Sequence, residues 1–397
     1  MNVVTFSGCN LSPLLFSIYI NDLCSILNKS GLGVTLGNTS NGDTNNGNTN
    51  NVSCLLFADD VVLVGRNQEA LNTLIDRSRL FFKSHKLKIS DVKSKVLLYD
   101  GSSGNLLFPG SGSDSSLNLG QVLAFKYLGV QISAPVFGLF KDYNVKVKQK
   151  ANNYLASTLS LVRSGPDRSD LAFTLWTSVA LPSILYGCEV MPLTLTTIKE
   201  VERCQSAVGK FILQLPRSTA NVVSNIDAGL RPVWSVIAEK VLLYAQKVMR
   251  KPASSLAKIA MSENMDLGVS SPYTKYLIKW KTDTDTFGIP AKSIKSAVTR
   301  AATAEVFQLQ RAASTSTFAM NTATLSATNQ WFRPKAWVND SVFSRIISQF
   351  RGCNLGLGNR GPAKDGHFYK LCPLCSKNGK DALNNEVCRL KIIKLIL

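Results

Sequence analysis

The apolar positions of the chain fall into several short patterns. Between residues 11 and 27 they recur at 14, 15, 18, 19, 23, 26 and 27, with Pro13 near the start. That spacing predicts a helix with one face on a core. Residues 31–36 suit a short strand. The next stretch, TSNGDTNNGNTNN at 39–51, is almost wholly Asn, Gly and Thr. It has nothing to bury and suits turns, so it reads as an exposed enlargement of a hairpin connection. The segment SCLLFADDVVLVG then predicts two strands, 53–58 and 61–65, with Asp59 and Asp60 at their junction. The pair lacks the glycine of the strongest hairpin signal, and the symmetry of the flanks carries the assignment. Asn67 can cap a helix running to about residue 84, with Leu71, Leu74, Ile75 and Phe81 on one side. LKISDVKSKVLLY, 87–99, reads as an extended piece, a basic turn and a strand. Glycine- and serine-rich loop follows at 101–120, then a strand pair over 122–132 around Phe125-Lys126-Tyr127-Leu128-Gly129.

From residue 141 the period changes to 3.6, with Val147, Ala151, Leu155, Leu159 and Val162 sharing a face. Beyond Gly165-Pro166, a second helix should start at Ser169 and kink or break at Pro182, ahead of Tyr186-Gly187. Thr197 and Glu200 form a capping-box pair before Val201, Cys204, Val208, Phe211 and Leu215, and Pro216 ends that helix. A fourth helix is expected from Pro232, with Val233, Ile237, Val241, Tyr244 and Val248 inward. Patterns weaken over 251–330, where one helix is expected at 291–310 and STSTFAMNTATLSATNQ reads as loop. The fold class expected is α+β. Residues 1–138 form a mixed domain with a small antiparallel sheet and packed helices. Residues 139–250 are helical, 251–350 a partly helical connector and 351–397 a small cysteine-containing tail.

Composition narrows the function classes. Hydrophobic residues make up 45% of the 397, as in globular proteins. No apolar run is long enough for a membrane span, and MNVVTFSGCNLSPLLF lacks the basic segment of a signal peptide. The expected location is inside the cell, nucleus and cytoplasm being indistinguishable, with no membrane partner. Forty-five basic against twenty-six acidic residues give a net charge of +19. Such an excess favours a polyanionic partner, nucleic acid first, although charge alone does not separate that from a merely basic surface. Nine cysteines at irregular spacing suit reduced thiols rather than a disulfide framework.

Two aspartates at a hairpin tip suit a hard divalent cation such as Mg²⁺, which accepts a few carboxylates and bridges to phosphates. A solvated turn between buried strands is the competing reading. At this point the chain resembles a known family. CLLFADDVVLVG resembles the catalytic hairpin of reverse transcriptases, particularly those of non-LTR retrotransposons, with their aromatic-Ala-Asp-Asp box. Further similar segments follow in order. Gly8-Cys9-Asn10-Leu11-Ser12-Pro13-Leu14-Leu15-Phe16 resembles the segment opening the helix beneath nucleotide and template, and Tyr19-Ile20-Asn21-Asp22-Leu23 continues it. Leu87-Lys88-Ile89 with Lys93-Ser94-Lys95 looks like the next palm segment. Lys126-Tyr127-Leu128-Gly129 looks like the primer-grip strand, and Leu185-Tyr186-Gly187-Cys188-Glu189 like the helical region that follows.

The resemblance implies a partial palm over 1–138 and a thumb-like region over 139–250. It implies RNA-templated addition of deoxynucleotides to a primer 3′-OH with Mg²⁺ as cofactor. An RNA template and DNA primer are then the partners; the oligomeric state stays open. Asp59 would be the more essential metal ligand and Asp60 the weaker or outer one. Gly8, Ser12 and Pro13 would shape the nucleotide and template pocket. Lys93 would contact phosphate, a solvated turn lysine being the alternative. Tyr127, Leu128 and Gly129 would position the primer end, with Lys126 near its backbone. Lys146, Lys148 and Lys150 of KDYNVKVKQK would neutralise phosphates, although alternate helical positions do not share one face.

The departures matter too. The family needs another carboxylate-bearing strand before the glycine-cysteine segment, whereas here only MNVVTFS precedes Gly8, and Ser7 stands where glutamine is usual. The expectation is therefore a catalytically incomplete fragment with an unpaired sheet edge, prone to aggregate or to need a partner. The alternatives are a non-catalytic nucleic-acid-binding remnant and an inert transposon relic. Cys372-Pro373-Leu374-Cys375 followed by Cys388 resembles the family's zinc-knuckle-like tail. Asn384 and Asn385 occupy the usual histidine's neighbourhood, so a zinc set would be Cys372, Cys375, Cys388 and His367, against three reduced thiols in a decayed knuckle. His85 has no acid or nucleophile at motif spacing and suits a surface or helix-end role.

Overall fold

The structure is a computed structural model that describes residues 11–36, 50–90, 92–98, 119–134, 140–162, 168–217, 219, 221–268, 272–280 and 291–313. Its contacts divide into two compact units, Met1–Asp142 with Lys247–Lys275, and Tyr143–Gln246 with Tyr276–Leu397.

The first unit opens with helix α1 (Ser12–Asn28), which carries proline in its first turn. Proline has no N–H to waste there, because the first N–H groups of a helix lack partners anyway. Ile20, Leu23 and Leu27 are buried on one side of α1, whereas Leu14, Leu15 and Ile18 stay exposed. Strands β1 (Val34–Leu36) and β2 (Asn50–Val52) pair antiparallel, Val34 opposite Val52. The Asn/Gly/Thr-rich connection between them, residues 37–49, lies outside the described residues. Strands β3 (Cys54–Phe57) and β4 (Asp60–Leu63) form the next antiparallel pair. Helix α2 (Gln68–Ser84) follows, and the Asn67 side chain accepts the Ala70 N–H at 2.8 Å, the N-cap expected.

Alternation on β3 and β4 decides which face meets the helices. Cys54 opposite Leu63 and Leu56 opposite Val61 point into a core with Leu23, Leu27, Leu74 and Phe81. The other face of α2 places Ile75 against Val96 and Leu98. That second core holds β5 (Lys95–Val96), which pairs in parallel with β6 (Gly120–Gln121). A parallel pair requires a long return path, and residues 97–119 supply one. Strands β7 (Ala124–Tyr127) and β8 (Val130–Ser133) close the series as an antiparallel hairpin. The single small antiparallel sheet expected is thus replaced, among the described residues, by four two-stranded ladders, one of them parallel. The two cores meet along α2: Leu74 and Phe81 pack with β3–β4, Ile75 packs with β5, and Leu63 of β4 touches both.

The second unit is helical. Helix α3 (Lys141–Val162) buries Tyr143, Val147, Ala151, Thr158 and Val162. Helix α4 (Arg168–Thr174) runs into a π-helical stretch, Leu175–Ala180, and then helix α5 (Leu181–Ile184). The disturbance expected at Pro182 therefore appears one turn earlier, as a widened helix. A proline ring clashes with the carbonyl four residues before it, and widening the preceding turn moves that carbonyl aside. Helix α6 (Leu195–Ile212) starts ahead of the Thr197–Glu200 pair, a correction to the capping box. Its cap is Thr194, whose hydroxyl accepts the Thr197 N–H, and Glu200 instead pairs with Arg203 at 2.8 Å. Helices α7 (Asn221–Asp227) and α8 (Val233–Met249) follow. Trp176 is fully buried and donates its indole N–H to Gln205 of α6 at 3.2 Å. Helices α9 (Leu256–Asp266), α10 (Pro272–Trp280) and α11 (Ala291–Ala313) complete the chain described. The sequence pattern had anticipated only α11 beyond residue 250; α9 contacts β1 within the first unit.

Candidate active site

The β3–β4 hairpin presents its acids by strand alternation. Leu55 opposite Val62 and Phe57 opposite Asp60 face away from the core. Asp59 occupies the two-residue turn, and both carboxylate residues are exposed. The turn's first residue, Ala58, has φ 51°, in the left-handed region that favours glycine. A non-glycine residue there carries backbone strain, which the flanking ladder and core must hold. Gly65, at the hairpin exit, lets the chain pass close to α2, since a Cβ there would lie 2.8 Å from the Leu71 nitrogen.

Beneath the turn, Asn28 accepts with Oδ1 from the N–H groups of Ser53 at 2.8 Å and Cys54 at 3.0 Å. The Cys24 thiol donates to the Cys54 carbonyl at 3.3 Å. Burial first, and then the Cys24 thiol beside it, push the Cys54 thiol well above its ordinary range, so it stays protonated. None of these partners is marked by a motif. The available signals were an asparagine just after the predicted helix 11–27 and a serine opening the predicted strand 53–58.

The second hairpin has the same architecture with a better-suited turn. Leu128 and Gly129 have φ of 46° and 83°, two left-handed residues in the loop, as a type I′ turn requires. Tyr127, beside that turn, has its phenol pushed above the usual value, chiefly by burial and then by the Asp60 carboxylate and the Cys54 thiol. The structure thus brings Tyr127 within electrostatic reach of Asp60. Lys126 and Leu128 are exposed, and Lys93 lies in the exposed turn ahead of β5. Ser12 sits half-buried in the first turn of α1, and Pro13 shares that turn. Gly8 lies outside the described residues, as do His367, Cys372, Cys375 and Cys388. His85 is the C-cap of α2; its ring stacks on Phe81 and meets Tyr19 edge-on. In the second unit, Lys148 reaches Thr196 at 3.4 Å, while Lys146 is exposed.

Two carboxylates at one exposed turn are hard oxygen donors suited to one divalent ion such as Mg²⁺. Among the described residues, no group of three or more His, Cys, Asp or Glu converges on one point, and no helix is long and apolar enough to cross a membrane.

Comparison with known proteins bears on the same hairpins. Residues 2–132 match the family described as reverse transcriptase (RNA-dependent DNA polymerase). Over 223 residues the chain is 26% identical to the Retrovirus-related Pol polyprotein from type-1 retrotransposable element R2 of Popillia japonica. That alignment takes in 54% of this chain and 28% of the polyprotein, so the chain spans little more than a quarter of that relative.

Proposed function

Since over residues 2–132 the chain belongs to the reverse-transcriptase family, of the non-LTR retrotransposon type, we propose that Asp59 and Asp60 are its metal-holding carboxylates in RNA-directed DNA synthesis. The observation that carries this reading is their placement. Both acids stand exposed on a hairpin whose opposite face is packed on α1 and α2. A bound divalent ion would supply Lewis-acid stabilisation of phosphate charge at that turn. The chain's own residues would do the positioning. β3 and β4 fix where the carboxylates project, Asp59 as the principal ligand and Asp60 as the outer one. The β7–β8 hairpin, with Lys126, Tyr127, Leu128 and Gly129, would seat the primer end. Tyr127, half-buried next to the β7–β8 turn, can donate a hydrogen bond there without adding negative charge. Gly8, Ser12 and Pro13 would line the nucleotide and template pocket, and Lys93 would meet phosphate. Zinc at Cys372, Cys375, Cys388 and His367 rests on sequence spacing alone.

A second reading, nucleic-acid binding without appreciable synthesis by this chain alone, is favoured by the charge of +19 and by the absence, among the described residues, of a third carboxylate, histidine or cysteine grouped with this pair. Two carboxylates on one turn hold one ion, whereas two-ion phosphoryl transfer needs a further oxygen ligand bridging both. One experiment addresses both readings. The full chain and Asp59→Ala are given an RNA template, a DNA primer, deoxynucleoside triphosphates and Mg²⁺. Extension that vanishes in Asp59→Ala supports the polymerase reading, and equal extension by both proteins refutes it. Filter binding between about 50 and 200 mM salt should show a steep negative slope, and a flat line sinks the binding reading.

A further inference from the structure

The strand that delivers the carboxylates is held by more than its own ladder. Asn28 is the last residue of α1, and its side-chain oxygen takes two successive backbone N–H groups, from Ser53 at 2.8 Å and Cys54 at 3.0 Å. Two donors converging on one atom settle which end of the amide points there, since its NH₂ would face two further N–H groups. This is not helix capping by the usual rule. A helix C-terminus lacks donors for its carbonyls, whereas here the terminal side chain accepts from a strand. Ser53 is completely buried, and each of its polar groups has a partner. Its N–H goes to Asn28, its hydroxyl donates to Asn51 Oδ1 at 2.7 Å, and its carbonyl accepts the Val64 N–H at 2.8 Å. Asn51 Oδ1 also accepts the Gly33 N–H at 3.2 Å. Gly33 must be glycine for this approach, because a Cβ would run into the Val52 carbonyl.

We infer that Asn28 is the positioning residue of the carboxylate hairpin: by accepting both N–H groups at the root of β3, it sets where Asp59 and Asp60 stand relative to α1. Asn51 completes the clamp from the β2 side. Its relevance to metal rests on the reading of Asp59 and Asp60 given above. Removing the acceptor leaves two N–H groups at a buried junction without a partner, and the strand must shift to reach water. Aspartate at the same position keeps an acceptor oxygen and so keeps the clamp.

The test uses the full chain, with Mn²⁺ as the probe. Mn²⁺ affinity is read by electron paramagnetic resonance in the wild type, Asn28→Ala, Asn28→Asp and Asp59→Asn. Amide exchange is followed by mass spectrometry over 53–64, with 68–84 as the internal reference. Asn28→Ala should weaken Mn²⁺ binding about tenfold and speed exchange over 53–64 but not 68–84. Asn28→Asp should stay within about twofold of the wild type in both measurements. The inference is overturned if Asp59→Asn weakens Mn²⁺ binding while Asn28→Ala does not. It is also overturned if a folded Asn28→Asp loses affinity as Asn28→Ala does. Should Asn28→Ala fail to fold, the Asp variant decides alone: wild-type affinity and protection support the clamp, and their loss overturns it. Should Asp59→Asn leave Mn²⁺ binding unchanged, the metal reading fails. The exchange data then decide the clamp separately, by whether 53–64 loosens in the Ala variant only.

Discussion

Leu74 is the side chain whose loss should most directly loosen the support of the hairpin. It is fully buried on α2, in the core shared with Leu23, Leu27, Phe81 and Cys54 of β3. Leu74→Ala removes an isopropyl group. At about 0.8 kcal/mol per methylene, the lost transfer free energy is about 2.4 kcal/mol. The surroundings close over such a gap only in part, which raises the expected cost to roughly 3–4 kcal/mol. Native-state amide exchange is the suitable assay, because it reads α2 and the other elements segment by segment. Protected amides of α2 should exchange about a hundred- to thousandfold faster in the variant. Amides of α6, in the other unit, should be unchanged. An acceleration below about tenfold over 68–84 would refute the packing argument. Equal acceleration over 195–212 would show global rather than local opening and would refute a local loosening around Leu74.

Two further outcomes follow from local chemistry. Lys86 and Gln214 sit just beyond the ends of α2 and α6 at φ 56° and 51°, each in a helix-terminating turn. Lys86→Gly and Gln214→Gly should each stabilise by about 0.5–1 kcal/mol, visible as a higher melting temperature, and a fall would contradict the strain argument. Glu202 accepts hydrogen bonds from the Val233 N–H at 2.8 Å and from the Asn225 amide at 3.0 Å, yet burial still pushes its carboxyl above the ordinary range. The folded state therefore binds that proton more tightly than the unfolded chain. Its ionisation costs nothing below the ordinary carboxylate range, costs progressively more as pH rises through the raised value, and stays constant above it. Glu202→Gln should be at least as stable as the wild type at pH 7, with its advantage shrinking toward pH 4. Thermal melts showing the opposite trend would rule this out.

The contrast between what was legible and what was not has a physical basis. β3, β4 and α2 are readable because each carries a clean period and a turn or cap: alternation around Asp59-Asp60, then Asn67 ahead of a 3.6-residue repeat. α9 escaped because Ser255 makes no side-chain cap and Met261 is its one buried residue, so its sequence shows neither boundary nor face. The start of α6 was misplaced because Thr194 and Thr197 are both chemically able to cap, and only tertiary burial of Thr197 selects Thr194. The four separate ladders depend on pairing between strands and on packing against helices distant in sequence, information that no local pattern carries. Among site residues, the acids announce themselves as charges in an apolar run. Asn28 and Ser53 act through backbone groups of partners distant in sequence, and ordinary polar residues give no sign of that.

The side-chain amides that tie Gly33, Ser53 and Cys54 together have a consequence for how this gene can change. They hold the chain just before β1 and just after β2, and the β1–β2 ladder pairs Leu36 with Asn50 at the two ends of the connection. Doubling the length of a loop whose ends are already held costs only about 0.6 kcal/mol. Repetitive additions between those ends would therefore meet little selection from folding, and a tract as monotonous as TNNGNTNN can accumulate a few residues ahead of the carboxylates in the sequence.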